Sequence, residues 1–102
     1  MEQVSSVNWF RETYPEVLIF AIPNGGERHP AVAEKMRREG VTPGVPDLFI
    51  PRWRMFVEMK AEKGRLSDKQ KERIDYLSSV GYQCLVCYGF EDFKRQITAF
   101  HP

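Results

Sequence analysis

The stretch that decides the fold is residues 46–60, which read PDLFIPRWRMFVEMK. Two short apolar runs, 47–50 and 54–60, flank a Pro-Arg-Trp link, and this pattern predicts a hairpin of two neighbouring strands. Because side chains two apart in a strand share a face, Glu58 and Lys60 project together from the second strand. Charged groups on an otherwise apolar strand are costly unless a partner or a metal ion satisfies them. The second strand of the hairpin is therefore predicted to be an interior strand whose charged pair carries the chemistry.

Asp47 stands at the start of the first strand of this hairpin. If the two strands are antiparallel neighbours, a twist or splay there brings Asp47 beside Glu58 and makes a carboxylate pair. Two carboxylates and an ammonium suit phosphodiester hydrolysis, because hard oxygen ligands hold Mg²⁺ and leave positions for water and phosphate. Lys60 would position the attacking water and offset charge in the transition state. The alternative is an ordinary salt-bridge cluster of the same residues.

Helices and strands alternate on both sides of the hairpin. Apolar spacing and turn residues predict a helix over 2–14, a buried central strand over 17–22, a helix over 30–38, a helix from Ser67 to near Gly81, a strand over 82–87 and a C-terminal helix through Phe100. The order α-β-α-β-β-α-β-α predicts an α/β fold, with a sheet of about four strands and helices against its faces.

Ser67 and Gln70 begin the helix that follows the hairpin. Their spacing is that of a capping box, in which the two side chains satisfy each other's backbone N–H groups. Gln70 also shares a helix face with Ile74 and Leu77, a face that should be buried. The sequence leaves two interpretations open: Gln70 only caps the helix, or it reaches the active site and orients water or Lys60.

Composition excludes several classes of protein. A chain of 102 residues has room for one compact domain, which we place at 1–102. A net charge of +1 gives no overall attraction to nucleic acid, so any basic surface must be local. No apolar run approaches the roughly 20 residues needed to cross a bilayer, and the N-terminus does not read as a signal peptide. We therefore expect a cytoplasmic protein without a membrane partner.

Four short motifs follow one another along the chain. They are IPNGG at 22–26, GVPDL at 44–48, EMK at 58–60 and LSDKQ at 66–70. The second and third together match the PD-(D/E)XK nuclease pattern in its E-x-K form. In this order the four motifs resemble those of the VRR-NUC domain, the virus-type replication-repair nuclease family. The resemblance runs from about residue 2 to 97.

The resemblance implies a fold, a set of site residues and a metal ion. The fold would be restriction-endonuclease-like, with a mixed central sheet similar to that of archaeal Holliday-junction resolvases. The residues it assigns to catalysis are Asp47, Glu58, Lys60 and Gln70. The ligands it assigns to Mg²⁺ or Mn²⁺ are Asp47, Glu58, the backbone carbonyl of Met59 and, from the first helix, Glu2.

The activity implied by the resemblance is that of a structure-selective DNA endonuclease. Such a protein cleaves branched DNA, such as four-way junctions, in a bacterial or phage-infected cell, and needs no small-molecule cofactor. We expect a homodimer, because symmetric cutting of a junction needs two centres related by a twofold axis. Two alternatives remain open: a general or partner-directed nuclease or nickase on duplex or flap DNA, and a DNA-binding dimer that does not cut.

Contacts with DNA phosphates are predicted from backbone and basic groups around these motifs. The residues are Asn24, Gly25, Arg28, Lys63 and Arg65. Trp53, at the tip of the predicted hairpin, is expected to contact DNA or a second copy of the chain.

Overall fold

A computed structural model describes residues 2–23 and 29–101, and its elements follow the predicted order. They are α1 (Glu2–Thr13), β1 (Phe20–Ala21), α2 (Pro30–Arg38), β2 (Leu48–Ile50), a 3-10 helix (Pro51–Trp53), β3 (Met55–Lys60), α3 (Asp68–Ser79), β4 (Gln83–Tyr88) and α4 (Phe90–Phe100). The α/β prediction is confirmed. In the described part of the chain, no helix is long and apolar enough to span a membrane.

The four strands form one mixed sheet in the order β1-β2-β3-β4. β2 pairs antiparallel with both β1 and β3, so the predicted hairpin is present. β3 and β4 are parallel, and α3 makes the crossover that a parallel pair requires. Arg54 follows the 3-10 helix in a left-handed conformation (φ 51°) that turns the chain, and β3, which lies between β2 and β4, begins at the next residue, Met55.

The prediction of a central strand over 17–22 is wrong. β1 covers only Phe20–Ala21 and lies at the edge of the sheet. Its partner β2 is three residues long and ends where Pro51 starts the 3-10 helix, so little of β2 remains for residues before β1 to pair with. Burial in this segment alternates as it does on an edge, with Ile19 buried and Leu18 63% exposed.

The apolar core lies between one face of the sheet, here called the core face, and the helices α1 and α4. Its strand residues are Leu48, Ile50, Met55, Val57 and Cys87, and its helix residues are Phe10, Phe93 and Ile97. The opposite face, here called the site face, carries the residues between them in β2 and β3: Phe49, Phe56, Glu58 and Lys60. α3 reaches this second face, so the sheet separates the buried core from the face that carries the charged groups.

Trp53 does not project from the tip of the hairpin as predicted. It stacks on His101 with ring centroids 3.9 Å apart, and it makes edge contacts with Phe10 and Tyr14. The Tyr14 hydroxyl also donates a 2.5 Å hydrogen bond to the carbonyl of His101. The 3-10 helix turns the indole inward, so Trp53 fastens the C-terminal end of the chain to α1.

The loop that leads into β2 is held against α3. Gly44 has φ +86°, and a Cβ there would lie 2.7 Å from the carbonyl oxygen of Lys69. Arg73, one turn further along α3, donates from Nε to the carbonyl of Pro43 at 3.2 Å. The path of the chain toward Asp47 therefore depends on a residue without a side chain.

We expect Gly44→Ala to destabilise the fold by at least about 2 kcal/mol, since left-handed strain adds to a backbone clash. Gly40→Ala is the matched control, because Gly40 also has a positive φ of 102° but meets nothing within 4 Å. It should cost only about 1 kcal/mol. Urea denaturation at unchanged m-value measures both, and equal losses would contradict the close packing of this loop on α3.

Candidate active site

The antiparallel register places two carboxylic acids opposite each other. Leu48 pairs with Val57, so Asp47, one residue earlier, lies across from Glu58. The backbone of Asp47 is fixed from the other side as well, since its carbonyl accepts a 2.8 Å hydrogen bond from the N–H of Ile22. Asp47 is thus held between the continuations of two strands, and both acids project from the site face.

The ladder between β2 and β3 ends at Asp47 because the preceding residue, Pro46, has no N–H to continue it. The next backbone donor of β3 is used differently: the N–H of Met59 donates to Oδ2 of Asp47 at 2.8 Å. A side chain takes the place of a main-chain acceptor. Pro46 therefore ends the pairing of the two strands, and the carboxylate of Asp47, the next residue, is oriented by the backbone donor that this leaves available.

Glu58 is buried, with 3% of its surface exposed. Its Oε2 accepts a 3.3 Å hydrogen bond from Nε2 of Gln70. Its Oε1 receives no hydrogen bond from any residue in the described ranges. A buried acceptor left in this state is destabilising unless something else satisfies it.

The pKa of Glu58 is raised from 4.5 to about 8, and burial is the largest cause. The charge of Asp47 and a hydrogen-bonding contact with that side chain contribute to the increase, whereas the charge of Lys60 opposes it. Two ionised carboxylates repel each other, and a proton or a cation between them removes the repulsion. Near neutral pH the pair therefore retains a proton that a cation would have to displace.

The donor set fits Mg²⁺ or Mn²⁺. Both acids offer hard oxygens, and the buried Oε1 of Glu58 is without a protein donor in the described part of the chain. Within residues 2–23 and 29–101, no three His, Cys, Asp or Glu side chains cluster as a metal site. One or two carboxylates are nevertheless what Mg²⁺ usually takes from a protein, with water and substrate phosphate as its other ligands.

Gln70 caps α3, as one of the two interpretations of the sequence predicted, and its side chain also contacts Glu58. Its Oε1 accepts from the N–H of Ser67 at 2.9 Å, and its own N–H donates to Ser67 Oγ at 3.1 Å, which completes the capping box of α3. Its Nε2 reaches across to Glu58. Capping and contact with the acidic pair are therefore made by opposite ends of one amide group.

Glu2 lies at the start of α1, and its carboxylate contacts α4. Its Oε2 accepts a 2.6 Å hydrogen bond from the backbone N–H of Phe90, in the first turn of that helix. Acidic groups are favourable at this end of a helix. The structure gives Glu2 a capping contact between the two helices that cover the core face, and it joins no three-residue acidic cluster in the described chain.

The predicted DNA contacts divide into two groups. Lys63 and Arg65 lie in the segment between β3 and α3, directly after Lys60, and both are exposed. The ion pairs of the described residues are Arg37–Glu34, Arg73–Glu72, Lys94–Glu91 and Arg95–Asp92, so no described carboxylate pairs with either of them. Asn24, Gly25 and Arg28 fall in 24–28, outside the described residues.

Sequence reasoning missed two supports of the site. The N–H of Met59, which orients Asp47, has no local signal in the sequence, because this hydrogen bond depends on how β2 and β3 pair. The contact of Gly44 with α3 was also missed. The sequence signal for it is a glycine between two prolines, three residues before Asp47, which indicates that the loop leading to Asp47 is sterically constrained.

Glu58→Gln should stabilise the protein in the absence of metal at alkaline pH. The folded state raises the pKa of Glu58 from 4.5 to about 8, so stability present below pH 4.5 is lost as the pH rises through about 8. Glutamine cannot ionise, and it keeps an acceptor for Gln70. We expect a gain of roughly 1–3 kcal/mol at pH 8 in EDTA and little difference at pH 4.5, measured by urea denaturation.

Glu62→Gln is the control for Glu58→Gln, because Glu62 is an exposed glutamate two residues beyond β3. It removes the same ionisable group and should leave the dependence of stability on pH unchanged. If Glu58→Gln also followed the wild type at every pH, the buried carboxylic acid would not have the raised pKa described above.

Comparisons with known proteins agree with the fold and the motifs. A family model for the VRR-NUC domain matches residues 3–91. A solved structure described as a "VRR_NUC domain protein" aligns with a TM-score of 0.77 and 26% identity, covering 97% of this chain and 84% of that chain. A search of the curated proteins gives no match. Since the family model covers most of its length, the chain belongs to the VRR-NUC family of nuclease domains.

Proposed function

We propose that the protein is a Mg²⁺- or Mn²⁺-dependent endonuclease that hydrolyses phosphodiester bonds of branched DNA, such as four-way junctions. Membership of the VRR-NUC family implies a nuclease with DNA as its substrate and a general need for a divalent metal. The observation that supports the particular site is the position of Asp47 opposite the buried Glu58, on the site face of the sheet.

The proposed ligands of the ion are the carboxylates of Asp47 and Glu58 and the backbone carbonyl of Met59. When bound, the ion would polarise the phosphate and make water a better nucleophile. The protein's part is to keep the two carboxylates in place. The N–H of Met59 holds Asp47, and Gln70 holds Glu58, so both carboxylates are already oriented before an ion binds.

Lys60 is proposed to act on the phosphate. It follows Glu58 on the same face of β3, and its charge already lowers the pKa of that acid, so the two side chains share one electrostatic environment. The carbonyl of Lys60 accepts a 3.0 Å hydrogen bond from the N–H of Gly89, which fixes the end of the strand. An ammonium held there can position water and offset negative charge as it develops on the phosphate oxygens.

DNA would approach the site face along the segment that follows Lys60. Lys63 and Arg65 are exposed there, and no described carboxylate pairs with them. Cations of this kind neutralise backbone phosphates without reading bases, as a structure-selective enzyme requires. Arg28, Asn24 and Gly25 are proposed to extend the same contact.

We propose that the active form is a homodimer. One chain carries one pair of carboxylates, and symmetric incision of a four-way junction needs two such centres. A junction cut in paired strands is therefore the product that separates this proposal from a monomeric nickase.

The test is cleavage of a labelled four-way junction, a matched flap and a linear duplex, each with Mg²⁺, Mn²⁺ or EDTA. We expect metal-dependent, paired incisions of the junction, and a loss of about 10²- to 10³-fold in Lys60→Ala, because a group that stabilises transition-state charge is removed. Asp47→Ala should also abolish cutting, while DNA binding is kept or improved, since a carboxylate near the phosphates is removed.

Lys94→Ala is the matched control for Lys60→Ala. Lys94 lies on α4, which packs on the core face, and it pairs with Glu91 and covers the Phe90 ring, so it is on the other side of the sheet from the acidic pair. It should cleave like the wild type. Equal cutting of junction, flap and duplex would favour a general nuclease, and binding without cutting under any metal would favour a DNA-binding dimer.

A further inference from the structure

We propose that Ser67 is a positioning residue for the active site. Through the amide of Gln70, it fixes the carboxylate of Glu58 in the orientation that receives a divalent cation. This inference rests on the proposed function, because it concerns the same pair of acids. It assigns a task to a residue that would otherwise only begin a helix.

The two ends of the Gln70 amide are chemically different, and each has a different partner. The nitrogen end only donates hydrogen bonds and the oxygen end only accepts them. Oε1 faces the N–H of Ser67 at 2.9 Å, and Nε2 faces Oε2 of Glu58 at 3.3 Å. Only this orientation satisfies both contacts, because rotating the amide by half a turn would place an oxygen against the carboxylate and an N–H against an N–H.

The N–H of Ser67 is held ready for this contact by the N-cap conformation. Ser67 has φ −75° and ψ 166°, and its Oγ accepts a 3.1 Å hydrogen bond from the N–H of Gln70. The hydroxyl of Ser67 therefore accepts from the backbone N–H of Gln70, and the side-chain amide of Gln70 accepts in turn from the backbone N–H of Ser67. Without Oγ, the Ser67 backbone loses the contact that keeps its N–H aimed at Gln70.

These contacts fix the orientation of the Glu58 carboxylate. With Oε2 engaged by Gln70, the carboxylate cannot rotate freely, and Oε1 has no protein donor in the described chain. A binding site of this kind loses affinity when the group that orients a ligand is loosened, even though the ligand itself is intact. Ser67 thus acts on Glu58 indirectly, through the side chain of Gln70.

The N-cap of α2 provides a contrast within the same chain. His29 caps that helix with its own Nδ1, which accepts from the N–H of Ala31 at 3.1 Å. Both residues are exposed, and the contact stays local. At α3 the capping-box residue Gln70 is half-buried, and the nitrogen end of its amide reaches a glutamate that is 3% exposed. The extra contact, which a cap does not need, points to a role beyond helix stability.

The same turn of α3 also reaches the other side of the site. The Lys69 carbonyl packs against Gly44, in the loop that delivers Asp47. The start of α3 therefore touches the supports of both acids. A substitution in the first turn of α3 should therefore alter the arrangement of Asp47 and Glu58, whereas a substitution at the C-terminal end of α3 should not.

The experiment is calorimetric titration of Mn²⁺ into the metal-free chain, without DNA, for the wild type, Ser67→Ala, Ser67→Thr and Ser79→Ala. We expect Ser67→Ala to bind about five- to tenfold more weakly, and Ser67→Thr, which keeps the hydroxyl, to bind like the wild type. Ser79→Ala is the matched control: it deletes the same hydroxyl, which donates to the Tyr76 carbonyl at 2.6 Å, roughly 13 Å along the helix from Gln70.

A second readout follows the amide itself. In the metal-free wild type, the side-chain NH₂ signals of Gln70 should exchange slowly with water because both ends of the amide are held. Ser67→Ala should speed that exchange and Ser79→Ala should not. If Ser67→Ala folds poorly, Ser67→Gly takes its place, because glycine at an N-cap costs only a few tenths of a kcal/mol while still removing the hydroxyl.

The outcomes separate this inference from the function on which it rests. Wild-type affinity and slow exchange in Ser67→Ala would overturn the positioning role and leave the nuclease proposal intact. Mn²⁺ binding that is absent in the wild type would overturn both. Weaker binding in Ser67→Ala alone, restored by threonine, supports the positioning role, because a loss of helix stability alone would not change the affinity of the folded protein.

Discussion

The structure depends on one constraint: two carboxylic acids face each other across neighbouring strands on one side of the sheet. Asp47 is opposite Glu58 because the β2–β3 register continues by one residue, and burial makes the second acid hold its proton to about pH 8. Such a pair is unfavourable in a sheet that is otherwise apolar. Its surroundings therefore have to hold it in place, and they do so from three directions: Met59 N–H, Gln70 and the loop at Gly44.

The core face and the site face of the sheet have different roles, which explains how a chain of 102 residues can tolerate this pair of carboxylic acids. The core face packs Leu48, Ile50, Met55 and Val57 under α1 and α4, and it supplies most of the apolar burial. The site face is then free to carry polar groups and to receive the first turn of α3. Stability and chemistry use alternate residues of the same strands.

Much of this could be predicted from the sequence, because period-two alternation in 54–60 and the capping box at Ser67 are local signals. The acidic pair, the element order and the start of α3 followed from them. The length of β1 and the packing of Trp53 did not, since both depend on distant partners: Pro51 ends the strand that β1 would pair with, and His101 reaches Trp53 from the end of the chain. The hydrogen bond from Met59 to Asp47 depends on the same long-range geometry.

The central claim is that the pair of acids holds a proton that a divalent cation displaces. Calorimetric titration of Mn²⁺ at pH 7 in two buffers of different ionisation enthalpy counts the protons released. Because the pKa of Glu58 is raised to about 8, the account predicts release of close to one proton per bound ion at that pH. Binding with no proton release would contradict it, since Glu58 would then already be ionised at pH 7 and its pKa would not be raised to about 8.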